Sequence, residues 1–119
     1  MPDVPLLLMA NGLTVSVSAL LDTGATVNVL PYAVGLQLGF VWERQTTPLQ
    51  LAGNLAQAEA RAVAIEATIA PFVPVLLAFA WTRAENAPLL LGQINFFQEF
   101  DVCFYRAEGT FTIALRQPR

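Results

Sequence analysis

The sequence contains no lysine and no histidine, and charged residues make up only 13% of its 119 positions. A typical soluble domain carries about a quarter. The six basic residues are all arginines, they are scattered along the chain, and the net charge is −3. No basic stripe is present that could follow a phosphate backbone. We therefore predict that the protein does not bind nucleic acid.

The low content of charged residues also indicates how the surface of the fold is used. With 55% hydrophobic residues, so few charges indicate that part of the apolar surface is covered, most simply by a second subunit. The simpler alternative is a β-rich domain whose composition is rich in alanine and leucine. The length corresponds to one domain, which we predict to comprise residues 1–119.

Cysteine is nearly absent, since Cys103 is the only one. A single cysteine excludes an internal disulfide, and without histidines it cannot complete a structural zinc site. We predict that Cys103 is a small buried apolar residue on a strand.

Long hydrophobic runs are also missing. The longest, residues 69–81, is too short to cross a bilayer as a helix and contains Pro71 and Pro74. Residues 1–12 lack the basic leader of a signal peptide. We therefore expect no membrane association and a cytoplasmic location.

What the sequence does contain is typical of β-structure. Turn-forming residues recur at short intervals between apolar runs, which predicts an all-β domain. Asn11-Gly12 fits a two-residue hairpin turn, because both residues can adopt positive φ. Over residues 13–18, apolar and polar side chains alternate as in a half-buried strand. Pro31 and Gly39 suit the two ends of a short helix, predicted over residues 31–38.

The second half of the chain predicts further strands. Residues 47–69 indicate a second hairpin with its turn near Gly53-Asn54, although the alanines leave a helix over residues 55–67 as an alternative. The later predicted elements are a strand buried on both faces (73–81), a buried strand (89–92), a short helix (93–100) and a closing hairpin turned at Glu108-Gly109 (101–115).

The sequence Asp22-Thr23-Gly24 interrupts this apolar pattern. A carboxylate at the end of an apolar strand needs hydrogen-bond partners, because burying a lone charge is very costly. Thr23 offers a hydroxyl, and Gly24 allows the backbone to turn so that amides approach the acid. These residues can hold a carboxyl at the base of a cleft. The alternative is a strand-end turn with a capping aspartate.

The segment ALLDTGATVNVLP (19–31) closely resembles the active-site segment of the aspartic proteases. Residues 88–113 are similar to the family's apolar-apolar-glycine stretch, short helix and last hairpin. The order of the elements also fits, and the resemblance covers nearly the whole chain. It points to the single-domain, retropepsin-like branch. It implies a closed all-β barrel with one or two short helices, a homodimer, an extended peptide substrate, and no metal or cofactor.

Acid-protease chemistry needs two carboxyls that share one proton across a water molecule. The chain has a single Asp-Thr-Gly, and the sequences after Asp3 and Asp101 are not second copies of it. The missing carboxyl must come from another copy of the chain, and a two-fold dimer places identical loops face to face.

The resemblance also implies roles for individual residues. Asp22 would activate the water, Thr23 would bind the matching loop of the other subunit, and Gly24 would permit the turn. Gly92 would pack behind the catalytic loop, or would be an ordinary turn glycine. Residues expected to contact the peptide are Ala25, next to the motif, and those of the flap-like hairpin, Ala52, Gly53 and Asn54.

The sequence departs from the retroviral pattern at several positions. Residues 26–28 are Thr-Val-Asn where the retroviral enzymes have acidic residues, and Gln93 replaces a basic one, so an internal ion pair is lost. The flap candidate has one glycine instead of several. These departures favour an alternative, a catalytically silent retropepsin-like dimerisation or peptide-binding module, whereas the intact motif favours the enzyme. A third possibility is an unrelated β-barrel with an accidental motif.

Overall fold

The computed structural model describes residues 3–22, 24–51, 53–92, 100–105 and 110–115. Within these residues the chain forms nine β-strands and one α-helix. They are β1 (Asp3–Ala10), β2 (Leu13–Leu21), β3 (Asn28–Pro31), α1 (Tyr32–Gln37), β4 (Pro48–Leu49), β5 (Ala60–Thr68), β6 (Val75–Thr82), β7 (Leu90–Leu91), β8 (Phe100–Tyr105) and β9 (Thr110–Leu115).

A closed β-barrel is the centre of the fold. Its strands are hydrogen-bonded in the order β1-β2-β7-β3-β6-β5, and β5 returns to pair with β1. The short strand β4 pairs with the first residues of β5. The core lies inside the barrel, where the largest fully buried side chains include Trp81, Phe79, Leu8 and Leu30. The predicted all-β barrel is confirmed.

The first hairpin has the turn that its sequence predicts. Ala10 pairs with Leu13 across the turn, and Asn11 and Gly12 have φ values of 54° and 74°. Along β2 the polar side chains are exposed, and Val15 and Val17 are partly buried and pack against the core. The half-buried strand is therefore confirmed. The apolar face of β2 packs against the core of the barrel, and Asp22 directly follows the last residue of β2.

The helix α1 lies within the predicted range and packs on the core through an unusual feature, a buried glycine. A Cβ at Gly35 would overlap the Trp81 ring atoms Cε2 and Nε1. That ring is stacked on Tyr32, with ring centroids 5.4 Å apart, and its Nε1 donates to the Tyr32 carbonyl oxygen at 3.1 Å. Gly39 follows the helix with φ 79°. Gly35 lowers helix propensity, but it allows the helix to lie directly on the indole.

The second hairpin is also confirmed, and the helical alternative for residues 55–67 is wrong. Strand β5 pairs with β6 along its length and with β4 and β1 on its other edge. This pairing outweighs the poor strand propensity of its alanines. Where the turn was predicted, Gly53–Leu55 form one turn of 3₁₀-helix.

Strand β6 differs from its prediction as a strand buried on both faces. Leu76 is 64% exposed, whereas Phe79, Ala80 and Trp81 are fully buried. Only the second half of the strand is covered on both sides. The aromatic cluster lies on one face, and Leu51 packs with Ala80 on the other.

The last two strands, β8 and β9, form a separate antiparallel pair from Phe100↔Leu115 to Tyr105↔Thr110. The closing hairpin is therefore confirmed. Of the helix predicted over residues 93–100, residues 93–99 lie outside the described residues, and Phe100 begins β8 instead. The turn at Glu108-Gly109 and the side-chain surroundings of Cys103 also lie outside them. No helix in the described part of the chain is long and apolar enough to cross a membrane.

We expect the substitution Gly35→Ala to destabilise the fold by about 1–3 kcal/mol, because a buried, hydrogen-bonded indole has little room to move. Helix propensity alone predicts the opposite sign, since alanine normally stabilises a helix relative to glycine by about 0.5–1 kcal/mol. Urea unfolding measures the difference. Gln37→Ala, on the exposed side of the same helix, is the control and should unfold close to wild type. A stabilised Gly35→Ala variant would contradict the packing described here.

Candidate active site

Asp22 is placed by the pairing of two strands. Leu20 and Leu21, at the end of β2, lie parallel to Leu90 and Leu91 of β7. The ladder continues one residue further, since the Asp22 amide donates to the Leu91 carbonyl oxygen at 3.0 Å. The backbone of the aspartate is thus fixed to the barrel, although its side chain lies just beyond the strand.

The loop after Asp22 folds back onto its carboxyl group. Gly24 N donates to Asp22 Oδ1 at 2.9 Å, and Ala25 N donates to the Asp22 carbonyl oxygen at 3.1 Å. A Cβ at Gly24 would lie 3.2 Å from that same Oδ1. The glycine therefore lets a backbone amide reach the carboxylate, as the sequence predicts, and Asp22 as a whole is half-buried. Thr23 lies outside the described residues.

Gly92 packs directly behind this loop. A Cβ at this position would lie 2.7 Å from the Val27 carbonyl oxygen and 2.8 Å from that of Ala25. Such distances to backbone atoms leave no room for any side chain. The Gly92 amide donates to Asn28 Oδ1 at 2.9 Å. Gly92 is thus a close-contact residue and not an ordinary turn glycine.

Asp22 opens into a cleft of about 210 Å³. Among the described residues that line it, Asp22 is the one charged side chain, and the walls are mainly apolar. The lining residues are Asp22, Gly24, Ala25, Thr26, Val27, Val29, Leu51, Gly53, Leu55 and Leu90. The cleft can therefore surround an apolar group next to a carboxyl.

The segment between β4 and β5 forms one wall of the cleft. Leu51 is 3% exposed and packs with Val29 and Ala80. Gln50 Nε2 donates to the carbonyl oxygens of Ala56, at 2.9 Å, and Leu51, at 3.2 Å. Among the described residues of this segment, these contacts hold a compact loop, and the strand β4 before it has only two residues.

The structure brings together four of the predicted site residues, Asp22, Gly24, Ala25 and Gly53, around one cleft. Asn54 is in the 3₁₀ turn beside them, but its side chain is not described, and Ala52 lies outside the described residues. Sequence reasoning missed the other lining residues, which are Thr26, Val27, Val29, Leu51, Leu55 and Leu90. It also noted Asn28 only as a departure from an acidic pattern. A polar residue inside the apolar run VNVLP was the available signal, because a buried amide must find partners.

Within the described part of the chain, no three acidic or cysteine side chains lie close enough together to hold a metal ion.

Comparison with known proteins identifies the family of the chain. A sequence model described as aspartyl protease matches residues 6–93, well over half of the chain. The fold is similar to that of the EIAV protease solved in complex with the inhibitor HBY-793, with a TM-score of 0.60 and 20% identity. That match covers 77% of this chain and 81% of the viral one. No curated protein matches the sequence.

The chain belongs to the aspartyl protease family. Its barrel is retropepsin-like, which confirms the resemblance inferred from ALLDTGATVNVLP and rules out an unrelated barrel.

We expect Gly92→Ala to destabilise the protein by about 1–3 kcal/mol or more, because its Cβ would meet two backbone carbonyl oxygens that cannot rotate away. Thermal and urea unfolding measure the loss. Gly12→Asn is a suitable control, since a side chain at Gly12 meets no atom within 4 Å and asparagine tolerates positive φ. Equal stability of Gly92→Ala and wild type would show that the loop does not pack on Gly92 as described.

Proposed function

We propose that the protein is an aspartic endopeptidase and that its active site is completed by a second copy of the chain. One observation carries the proposal: in a member of the aspartyl protease family, the single Asp-Thr-Gly aspartate, Asp22, is the one charged side chain among the described residues that line an apolar cleft. The enzyme would comprise residues 1–119 as a single domain.

The chemistry requires two carboxyls that share one proton. The ionised Asp22 of one copy accepts a proton from a water molecule as the water oxygen bonds to the peptide carbonyl carbon. The protonated Asp22 of the other copy hydrogen-bonds the carbonyl oxygen. A proton then passes to the nitrogen as the C–N bond breaks. The amide of Gly24 supports this role, because it holds one carboxyl oxygen in place and leaves the other available.

A two-fold dimer is the simplest source of the second carboxyl. Asp3, the nearest other aspartate in sequence, pairs with Leu20 at the same open end of the first hairpin, but it lacks the Thr-Gly that follows Asp22. The low charge content of the chain also suits a surface that is partly covered by another subunit. Thr23 is proposed to bind the matching loop of the partner.

The substrate is proposed to be an extended peptide with an apolar side chain beside the scissile bond. The walls formed by Val27, Val29 and Leu90 support this choice, because they offer no charge to pair with a polar side chain. Leu51, Gly53 and Leu55 would cover the bound peptide and exclude water, with Ala52 and Asn54 in the same loop.

Asp22→Asn removes the titratable carboxyl while keeping its shape. We expect cleavage of an unstructured protein substrate at acidic pH to fall at least about a hundredfold, the usual contribution of a positioned acid or base. Glu66→Gln, at an exposed strand position that pairs with Met9 near the turn of the first hairpin, is the matched control and should cleave like wild type. Equal cleavage by Asp22→Asn and wild type would exclude the enzyme. Absence of cleavage in both would favour a silent binding module.

The same variant also tests the shared site. Adding an excess of Asp22→Asn chains to wild type should suppress cleavage, because mixed dimers contain one carboxyl instead of two. If activity follows the wild-type concentration alone, each copy carries a complete site and the dimer mechanism is wrong.

We expect Val27→Asp to place a second charge in the cleft and to lower kcat/KM for peptides with leucine or phenylalanine at the scissile bond by about 10–200-fold. Peptides with arginine or lysine there should lose less or gain. Thr46→Asp, in an exposed loop, adds the same charge elsewhere and serves as control. A substrate preference unchanged by Val27→Asp would show that this wall does not contact the substrate.

A further inference from the structure

Asn28 is a buried polar residue directly behind the candidate site. Its side chain is 0% exposed, and among the described residues only Thr82 is a second buried polar one. Burial of a carboxamide is costly unless both ends form hydrogen bonds. Both do: Oδ1 accepts from the Gly92 amide at 2.9 Å, and Nδ2 donates to the Ala78 carbonyl oxygen at 2.9 Å.

These two bonds join three separate parts of the barrel. Asn28 begins β3, at the end of the loop that starts with Asp22. Gly92 follows β7 and packs against the carbonyl oxygens of Ala25 and Val27 in that loop. Ala78 belongs to β6. The loop is therefore attached to the β7 segment at both ends, through the Asp22 amide at one end and through the Asn28 side chain at the other.

We propose that Asn28 is a positioning residue that fixes the Asp22 loop in its working geometry. The proposal rests on the proteolytic function argued above. The Gly92 amide is directed at Asn28 and is buried there, so it needs an acceptor at that point. Position 28 must supply that acceptor and a donor for β6 from one side chain, and asparagine offers both.

The attachment has a chemical consequence. The internal ion pair expected from the retroviral pattern is absent at Thr26, Val27 and Gln93, and a neutral amide lies behind the loop instead. Asp22 is the one titratable side chain on the loop, β3, β6 and β7. Because a carboxamide does not titrate in acid, the loop stays attached at the acidic pH at which a shared-proton dyad works.

Asn28→Asp tests this role, because it replaces the amide nitrogen with an oxygen of nearly the same shape. The ionised carboxyl can accept from Gly92 but repels the Ala78 carbonyl. The protonated carboxyl can donate to Ala78 and restore both bonds. Burial beside a carbonyl raises the pKa of the introduced carboxyl above its unfolded value of about 3.9. The free energy of unfolding of the variant therefore falls as the pH rises from the unfolded-state pKa to the higher folded-state pKa of Asp at position 28. It is regained on acidification.

We expect kcat of Asn28→Asp to fall about a hundredfold near neutral pH, the cost of a misplaced catalytic group, with KM little changed. The ratio of variant to wild-type kcat should recover as the pH approaches about 4. The Tm difference from wild type should close over the same range. Asn86→Asp, an exposed loop residue that receives the same charge change, is the control and should show neither effect.

Asn28→Leu is the second variant, since it fills the space without either hydrogen bond. Hydrogen exchange at the Gly92 amide should be slow in wild type and markedly faster in this variant. Unchanged exchange, or a kcat ratio and a Tm difference in Asn28→Asp that do not vary with pH, would overturn the proposal. A wild type that cleaves no peptide would overturn the proposed function alone, because the exchange and Tm measurements require no cleavage.

Discussion

The parallel pairing of β2 with β7 is the constraint on which the site depends. It fixes the backbone of Asp22 through the Leu91 carbonyl oxygen and brings Gly92 against the loop that follows. Since the Gly92 contacts are made to backbone oxygens, neither segment can shift without the other. The barrel therefore holds the backbone of Asp22, and the Gly24 amide of the attached loop holds its carboxyl. The proposed reaction would be sensitive to small displacements of that carboxyl.

Strand β6 both belongs to the closed barrel and supports one wall of the cleft. Strand β6 is covered on both faces only where it approaches the site, from Phe79 onward. There the aromatic cluster lies on one side, and Leu51, from the loop between β4 and β5, lies on the other. Packing of that loop against the outer face of the barrel makes the apolar wall beside Asp22. The same contact that buries Leu51 thus shapes the cleft.

Much of the fold could be predicted from the sequence because the signals are local. Asn11-Gly12 defines its hairpin, alternation defines the half-buried face of β2, and Pro31 with Gly39 delimits α1. The Asp-Thr-Gly motif and its apolar flanks identified the family. The sequence predicted that β6 is buried on both faces along its whole length, and this was wrong for the first half of the strand. The segments that cover a strand are distant in sequence, so periodicity does not reveal them.

The sequence by itself therefore determined the β-rich class, the Asn11-Gly12 turn and the acid of the candidate site, since each is signalled by neighbours within a few residues. Only the tertiary structure decided what surrounds that acid. The partners of Asn28 lie 50 and 64 residues away in the sequence. Leu51 lines the cleft from another hairpin. Position 35 is restricted to glycine by the Trp81 indole on β6. Such contacts depend on how the strands close into a barrel, which no local pattern specifies.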